Sequence, residues 1–260
     1  MNDGQKRKSI DNKKIFLAAA VVIIAAVLIV FMLQFKKSRD EKHLIEEGVA
    51  YLTKLENQDM KEIKDNIKRT RSVMSLELAD TDESAIWGAM STAVLCGDSR
   101  GVGFSYHEFM PETNVFAKGG GKITDIPEYL NQIAAINPES VFLCYGLNDI
   151  GIGLWPTGEE YAQEYEKHVE SIYERVPDTT VYVNSILPAI GVGLEADADY
   201  PRIGEYNEAL EAMCEEHGWA FIDNDVLAEE HADLYQPDGL HVDKSFYKYW
   251  AAKMLPEVED

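Results

Sequence analysis

Beyond about residue 86, the chain alternates short apolar runs with longer segments in which apolar residues recur at helical spacing. The apolar runs predict strands at 93–96, 114–117, 140–145, 180–185 and 219–222. The longer segments predict helices at 126–136, 159–175, 203–217 and 244–254. Asp125 with Pro127 just behind it suits a helix start, and Gly218 suits a helix end. Such alternation is typical of an α/β fold, a parallel sheet with helices on both faces.

A different pattern, one uninterrupted apolar run, lies near the N-terminus. Residues 15–33 contain no charged or polar side chain, close to the roughly 20 residues that a helix needs to cross a bilayer. We therefore predict a transmembrane helix over 15–35. A cleaved signal peptide is the alternative, but its apolar region is usually about 7–15 residues and precedes a small-residue cleavage site, whereas residues 34–37 read Gln-Phe-Lys-Lys.

The charges that flank this run predict its orientation. Five basic side chains precede it, and three follow it before Asp40 and Glu41. The more basic side of a membrane helix faces the cytoplasm, so residues 1–14 are predicted to be a cytoplasmic tail and the globular part to be extracytoplasmic. Residues 36–85 are predicted to be a helical stalk that ends in an acidic, irregular linker at 76–85, before the α/β domain at 86–260.

The composition excludes several classes of partner. The 46 acidic side chains outnumber the 24 basic ones, for a net charge of −22, and eight of the basic ones lie before residue 40. Such a surface repels nucleic acid, so no nucleic-acid partner is expected. The three cysteines are too few for a disulfide framework, and Cys96 and Cys144 end apolar runs as buried residues do. The histidines show no metal-ligand spacing, and we predict neither a metal nor a cofactor.

Glycines and polar residues follow the predicted strands. The first strand leads into Gly97-Asp98-Ser99, the second into residues 118–121, and the third into residues 146–149; residues 238–241 precede the last helix. Because the carboxyl ends of parallel strands meet at one edge of the sheet, these four blocks are expected to lie together. Between them they supply a hydroxyl, an imidazole, a carboxylate and hydrogen-bond donors, which an acyl-transfer site needs. Each block alone also fits an ordinary turn or a helix cap.

With the four blocks in this order, residues 93–254 resemble the SGNH hydrolases, also called the GDSL family of esterases and lipases. The resemblance implies a three-layer, flavodoxin-like sheet. It implies that Ser99 is the nucleophile, that His241 is the general base, and that Asp238 orients the imidazole. The backbone N–H groups of Ser99 and Gly121 and the side-chain amide of Asn148 would form the oxyanion hole. Which of the glycines at 119–121 points inward stays open.

Other features of these blocks bear on the resemblance. Asp98 and Asp149 look structural in the family. Arg100 stands where the family usually has leucine, and we expect this change to affect the pocket rim but none of the catalytic roles. The pocket is expected to be lined by residues 151–157 and 187–200, including Trp155 and Tyr200. The stretch 97–101 also matches the G-x-S-x-G elbow of α/β-hydrolases, but only one strand precedes this serine.

We expect a membrane-anchored, extracytoplasmic serine esterase. Its substrate would be an acylated small molecule or polysaccharide, with an acetyl group on a cell-envelope or extracellular carbohydrate as the leading candidate. A lipase or lysophospholipase, or an O-acyltransferase with the same site, is the nearest alternative. A catalytically silent binding protein that retained the fold is the alternative from another class. The sequence leaves the oligomeric state open.

Overall fold

The computed structural model describes residues 76–255, together with Lys36, Tyr51, Ile63, Thr70 and Met74. The predicted membrane helix at 15–35 and most of the predicted stalk lie outside the described residues. Among the helices of the described part, none is both long and apolar enough to cross a bilayer.

Five parallel strands form one sheet. They are β1 (Val94–Gly97), β2 (Val115–Ala117), β3 (Ser140–Cys144), β4 (Thr180–Asn184) and β5 (Ala220–Ile222). The spatial order is β2-β1-β3-β4-β5, with Gly97 of β1 opposite both Ala117 of β2 and Cys144 of β3. This is the order of flavodoxin-like sheets. The α/β class and all five predicted strands are confirmed.

Eight helices accompany the strands within residues 83–255. They are α1 (Glu83–Met90), α2 (Val102–Tyr106), α3 (Ile126–Ile136), α4 (Leu147–Gly151), α5 (Gly158–Arg175), α6 (Ile203–His217), α7 (Asp225–Glu230) and α8 (Phe246–Met254). Short 3-10 turns occur at Glu112–Asn114, Ile123–Asp125, Gly191–Glu195, Tyr200–Arg202 and Ala232–Leu234. The four predicted helices are confirmed as α3, α5, α6 and α8.

Two ends of these helices follow the predicted signals. Asp125 is the N-cap residue of α3, and Pro127 occupies the first turn, where a missing N–H costs nothing. Gly218 ends α6 with φ 68°, in the left-handed region that glycine enters without a steric penalty.

Apolar side chains pack on both faces of the sheet. Val94 and Cys96 point to a core shared with α3, α5 and α6, whereas Leu95 points to a second core shared with α1 and α8. Val141 and Phe142 of β3 divide between the two cores in the same way. Successive side chains of a strand face opposite sides, so a sheet buried on both faces needs continuous apolar runs.

Residues 76–85 differ from the expected irregular linker. Residues 76–81 are helical, and α1 begins at Glu83 after Asp82, whose carboxylate accepts a hydrogen bond from the Ala85 N–H. Leu76 and Ala79 are buried in the core that α8 completes. Their spacing of three residues puts both side chains on one face of a helix, and the acidic residues around them occupy the solvent side.

The strand order creates a crevice at one edge of the sheet. β1 lies between β2 and β3. The connection from β1 leads to β2 on one side, and the connection from β3 leads to β4 on the other, so the two connections diverge at the carboxyl ends of β1 and β3. In open α/β sheets such a switch point is the usual ligand site. Ser99 follows β1 and Asn148 follows β3 here.

Candidate active site

Ser99 lies in a tight turn between β1 and α2. Gly97 ends the strand in contact with β3, where a Cβ would lie 3.0 Å from the carbonyl oxygen of Cys144. The Asp98 N–H donates to that same carbonyl at 3.2 Å. Asp98 and Arg100 are buried on either side of Ser99, which is itself half-buried. The turn therefore holds the serine hydroxyl at the carboxyl edge of the sheet.

The structure brings Ser99, His241 and Asp238 into one hydrogen-bonded row. The Ser99 Oγ lies 3.1 Å from Nε2 of His241. Nδ1 of the same ring lies 2.7 Å from Oδ2 of Asp238. An Nδ1–H donated to a carboxylate leaves the Nε2 lone pair directed at the serine hydroxyl. This arrangement can take the proton of a nucleophilic hydroxyl.

A short turn presets the Asp238 carboxylate. Its Oδ1 accepts the backbone N–H groups of Leu240 at 2.9 Å and His241 at 3.0 Å. Partial burial raises the pKa of Asp238, but the hydrogen bonds from the His241 ring and from these two N–H groups outweigh it and lower the pKa to about 2. Asp238 is therefore an anion at any physiological pH. Both side chains stay accessible, with 45% of Asp238 and 41% of His241 exposed.

The loop after β4 supports this Asp-His turn. The Ile190 N–H donates to the carbonyl of Gly239 at 2.8 Å. Gly239 has φ 68°, and a Cβ there would collide with the carbonyl oxygen of Ile190. Gly193 lies equally close, since its Cβ would be 2.5 Å from the Gly239 oxygen. Two glycines thus allow two backbones to touch beside the histidine.

The predicted oxyanion donors lie at the same edge. A Cβ on Gly121 would lie 2.7 Å from the Gly97 oxygen and 3.2 Å from the Asp98 Cα, so only glycine fits against the Ser99 turn. Nδ2 of Asn148 donates to the Gly121 carbonyl at 3.1 Å, which leaves its second hydrogen available. The Gly121 N–H itself donates to the Lys118 carbonyl at 3.0 Å.

A buried carboxylate lies beneath this loop. Oδ1 of Asp149 accepts the Ile123 N–H at 3.0 Å, and its Oδ2 has no hydrogen-bond partner within the described residues. Burial raises the pKa of Asp149 to about 7, with the Ile123 hydrogen bond opposing the shift. The hydroxyls of Tyr161 and Tyr165 are buried and unpartnered in the same described region. The negative charge of Asp149 adds to burial in raising the pKa of both tyrosines.

Arg100 is buried, whereas the sequence indicated only an effect on the pocket rim. Only 3% of it is exposed, because its guanidinium turns inward to the Asp98 carboxylate and the Leu187 carbonyl. Asp98, two residues earlier, is the one sequence signal that could have indicated this burial. Leu187 lies 87 residues away and carries no signal that pairs it with an arginine.

The two segments predicted to line a pocket flank the site. Tyr200 is half-buried, and a Cβ on Gly151 would lie 3.2 Å from its hydroxyl. Trp155 packs against the same core as Tyr200, and its carbonyl accepts a hydrogen bond from the Tyr206 hydroxyl at 2.8 Å. Four large apolar side chains on these segments are exposed: Ile152, Leu154, Val192 and Leu194. Within the described residues, no three potential metal-ligating side chains cluster.

Sequence comparison identifies the family. The family model for GDSL-like lipases and acylhydrolases matches residues 99–249. The chain belongs to this family. It is thus an ester-hydrolysing enzyme, and the matched residues begin at Ser99 and include both members of the Asp-His turn. No match was found among curated protein sequences.

Solved structures share the acylhydrolase fold. A GDSL-like lipase from Bacteroides thetaiotaomicron is 17% identical, with a TM-score of 0.51 over 62% of this chain and 84% of that one. A Streptococcus pneumonia protein described as a platelet activating factor is 18% identical, with a TM-score of 0.51 over 72% of this chain and 90% of that one. A lipase/acylhydrolase from Enterococcus faecalis is 18% identical, with a TM-score of 0.49 over 62% and 92%. The first two likenesses show the fold that these proteins share.

Proposed function

We propose that this GDSL-family chain is a membrane-anchored, extracytoplasmic serine esterase that uses Ser99, His241 and Asp238 as its triad. The observation that carries the proposal is the hydrogen-bonded row, with 3.1 Å from the Ser99 Oγ to Nε2 of His241 and 2.7 Å from Nδ1 to Asp238. Hydroxyl, base and orienting carboxylate come from two blocks that are 142 residues apart in sequence. An ordinary turn would have no reason to align them.

In the acylation step, the Ser99 Oγ attacks the ester carbonyl carbon while His241 takes the hydroxyl proton on Nε2. The carbonyl π electrons move to oxygen, and a tetrahedral oxyanion forms. When it collapses, the bond to the alcohol oxygen breaks and His241 returns its proton to that oxygen. Asp238 stabilises the transient imidazolium and holds the ring in place. The products are an acyl-Ser99 ester and a free alcohol.

In the deacylation step, water replaces the alcohol. His241 takes a proton from water, whose oxygen attacks the acyl carbon, and the second oxyanion collapses with release of Ser99. The serine oxygen regains the proton from His241. One ester and one water thus yield one acid and one alcohol, and the enzyme is regenerated.

The oxyanion in both steps would be held by the Ser99 N–H, the Gly121 N–H and the Asn148 amide. Asn148 has one amide hydrogen free after its bond to the Gly121 carbonyl. The Gly121 N–H would be shared with the Lys118 carbonyl. Asn148 should therefore supply more of the stabilisation than Gly121. A donor of this kind is worth about 2.7–4 kcal/mol of transition-state stabilisation in a well-studied protease.

The proposed substrate is an acetyl ester on a carbohydrate of the cell envelope or the extracellular space. Two observations support an extended polar alcohol: His241 and Asp238 are more than a third exposed, and the chain is strongly acidic. A site at the surface admits an alcohol too large for a closed cavity. The apolar run at 15–33 would keep the enzyme at the membrane and its domain outside.

The first experiment compares the full chain with its Ser99→Ala variant in detergent, on para-nitrophenyl acetate. The wild-type chain should release nitrophenol and the variant should not, although both should unfold at the same temperature. Turnover that persists in the variant would reject Ser99 as nucleophile. A wild-type chain that cleaves no nitrophenyl ester of any chain length would favour a silent binding protein.

A lipid substrate is the second candidate, and the exposed apolar residues favour it. Val192 and Leu194 project from the 3-10 turn whose Gly193 touches Gly239 of the Asp-His turn. An acyl chain bound there would bury both. Nitrophenyl esters from acetyl to dodecanoyl distinguish the candidates, since kcat/KM should fall with chain length for an acetyl esterase and rise for a lipase. Adding a sugar acceptor tests acyl transfer, which would produce a new sugar ester.

The topology has a separate test. An external protease applied to intact cells should degrade an extracytoplasmic domain and leave a protected fragment that contains residues 1–35. A domain that resists digestion until the cells are lysed would reverse the proposed orientation.

A further inference from the structure

Arg100 is a buried charge next to the proposed nucleophile. It is 3% exposed, and its neighbour Asp98 is 1% exposed. Burying a charge is costly unless a counter-charge and hydrogen bonds compensate for lost hydration. A leucine at this position, which is usual in the family, would avoid that cost. The cost points to a role that an apolar side chain does not fill.

The contacts of Arg100 enclose the Ser99 turn. Its backbone N–H donates to Oδ1 of Asp98 at 2.9 Å, and its Nη2 lies 3.3 Å from Oδ2 of the same carboxylate. Its own carbonyl accepts the hydroxyl of Tyr247, from α8, at 2.8 Å. The residues before and after Ser99 are therefore fixed to each other and to the last helix.

The other end of the guanidinium reaches the loop after β4. Nη1 donates to the Leu187 carbonyl at 2.8 Å. The two preceding residues are also held by buried side chains, because Asn224 hydrogen-bonds Ser185 and Asn207 hydrogen-bonds Ile186. Three consecutive residues of this loop are thus each fixed by a polar side chain from a different part of the chain.

The same loop continues to the base. Three residues after Leu187, the Ile190 N–H donates to the Gly239 carbonyl, inside the Asp238–His241 turn. A continuous set of short contacts therefore runs from the Ser99 turn through Arg100 and the β4 loop to the base. His241 itself contacts the nucleophile turn through the 3.1 Å bond to the Ser99 Oγ.

We infer that Arg100 is a positioning residue that fixes the Ser99 turn relative to the loop supporting His241, and so sets the Oγ–Nε2 distance for proton transfer. This inference rests on the proposed function, since it needs Ser99 and His241 to be nucleophile and base. The buried Arg100 guanidinium bonds Asp98 and Leu187, and among the described contacts it reaches neither the Ser99 Oγ nor the His241 ring. Its effect should appear in the chemical step and not in substrate binding.

The test measures how fast Ser99 reacts with a fluorophosphonate in the full-length chain. The probe forms a Ser–O–P bond and releases fluoride. The amplitude of the labelling reaction measures the fraction of folded, competent sites. Its rate constant measures how strongly the serine is activated. The variants are Arg100→Leu, Arg100→Lys and the matched control Arg175→Leu. Arg175 is exposed at the end of α5 and bonds only Asn131 among the described contacts.

For Arg100→Leu we expect full labelling amplitude, a rate constant at least tenfold lower, and a matching fall in kcat with KM within twofold. The lysine variant, which can reach one of the two acceptors, should recover part of the rate. Arg175→Leu should react as the wild type does. A rate constant within twofold of wild type in Arg100→Leu, or an equal fall in Arg175→Leu, would overturn the inference.

If Arg100→Leu does not fold and is therefore not labelled, Arg100→Lys tests whether Arg100 positions the Ser99 turn. Full amplitude with a rate at least threefold lower supports positioning, and a wild-type rate refutes it. Ser99→Ala separates this inference from the proposed function. Labelling that persists in Ser99→Ala refutes Ser99 as nucleophile, whatever the arginine variants do.

Discussion

The turn around the proposed nucleophile Ser99 (the nucleophile turn) and the turn around the proposed base His241 (the base turn) are built in opposite ways. Asp98 and Arg100 bury an ion pair beside Ser99 and leave almost no surface. Asp238 and His241 form their pair in the open, with more than a third of each side chain exposed. The first turn is held by side chains that reach into the core, and the second by backbone contacts to one neighbouring loop.

Because one pair is buried and the other exposed, we expect mutations in the two turns to affect different properties, stability in one and catalytic rate in the other. A buried pair cannot lose one partner without leaving a charge uncompensated, so mutations in the nucleophile turn should lower the free energy of unfolding. An exposed pair is hydrated when broken, so the base turn should be sensitive chiefly in rate. The same change, aspartate to asparagine, can be made in each turn.

Asp238→Asn should have the largest effect, on activity. The amide no longer stabilises the imidazolium and can favour the wrong tautomer, so kcat should fall by roughly 10²–10⁴-fold. Stability should stay within about 1 kcal/mol of wild type because the site is exposed. Ester hydrolysis and urea unfolding on the same preparation check both parts. A variant that unfolds readily but keeps its kcat would reverse the comparison.

Asp98→Asn should act mainly on stability. It leaves the Arg100 guanidinium buried without its counter-charge, and we expect a loss of about 3–5 kcal/mol in the free energy of unfolding. The measurement is the urea midpoint and slope, with Asp238→Asn as the matched exposed control. Equal unfolding free energies for the two variants would show that burial of the pair does not matter.

Gly239→Ala tests the backbone support of the base turn. The new Cβ would meet the Ile190 carbonyl at a positive φ, so we expect a loss of about 3 kcal/mol and a lower kcat. Gly191→Ala is the control, since Gly191 also has a positive φ, 51°, but open space around its Cβ position. It should lose only about 1 kcal/mol. Matching losses would mean that φ alone, and not the contact, sets the cost.

The buried carboxyl group of Asp149 should make the stability of the protein depend on pH. The pKa of Asp149 is about 7 in the folded state and 3.8 for an ordinary aspartate, so between about pH 4 and pH 7 the folded state keeps a proton that the unfolded state has lost. Stability from this group is therefore present at low pH and is lost as pH rises through 7. The difference between the two pKa values corresponds to about 4 kcal/mol in total, of which roughly 2–3 kcal/mol falls between pH 5 and pH 8.

Asp149→Asn removes this titration while keeping the shape of the protonated acid. Urea unfolding of both proteins at pH 5 and pH 8 measures the effect. The wild type should lose more stability between the two pH values than the variant does. The same pH dependence in both would assign the titration to other groups.

Much of the fold follows from local patterns. The start of α3 at Ile126 and the end of α6 before Gly218 were predicted because capping signals act within one turn. Helices α1, α2, α4 and α7 were missed because segments of five to eight residues are too short to show a clear amphipathic repeat. Residues 76–81 were missed because the apolar residues do not mark one face: Leu76 and Ala79 are buried, whereas Leu78 between them is exposed.

In the site too, contacts between residues close in sequence could be predicted and long-range contacts could not. Asp238 and His241 are three residues apart, so their pairing could be predicted locally, and it is present at 2.7 Å. The contact of Arg100 with Leu187 depends on the strand order that brings the ends of β1 and β4 into one region, and the sequence indicated only an effect on the pocket rim. The roles of Ser99, Gly121 and Asn148 stay predictions until the variants are assayed.

The hydrogen bond from Tyr247 to the Arg100 carbonyl has a consequence for biosynthesis. During translation Ser99 emerges from the ribosome long before the proposed base His241, which is 142 residues downstream, and α8 emerges after both. A nascent chain therefore carries an inert hydroxyl until its final helix closes on the turn. An enzyme made in this order cannot act on esters while it is still being synthesised.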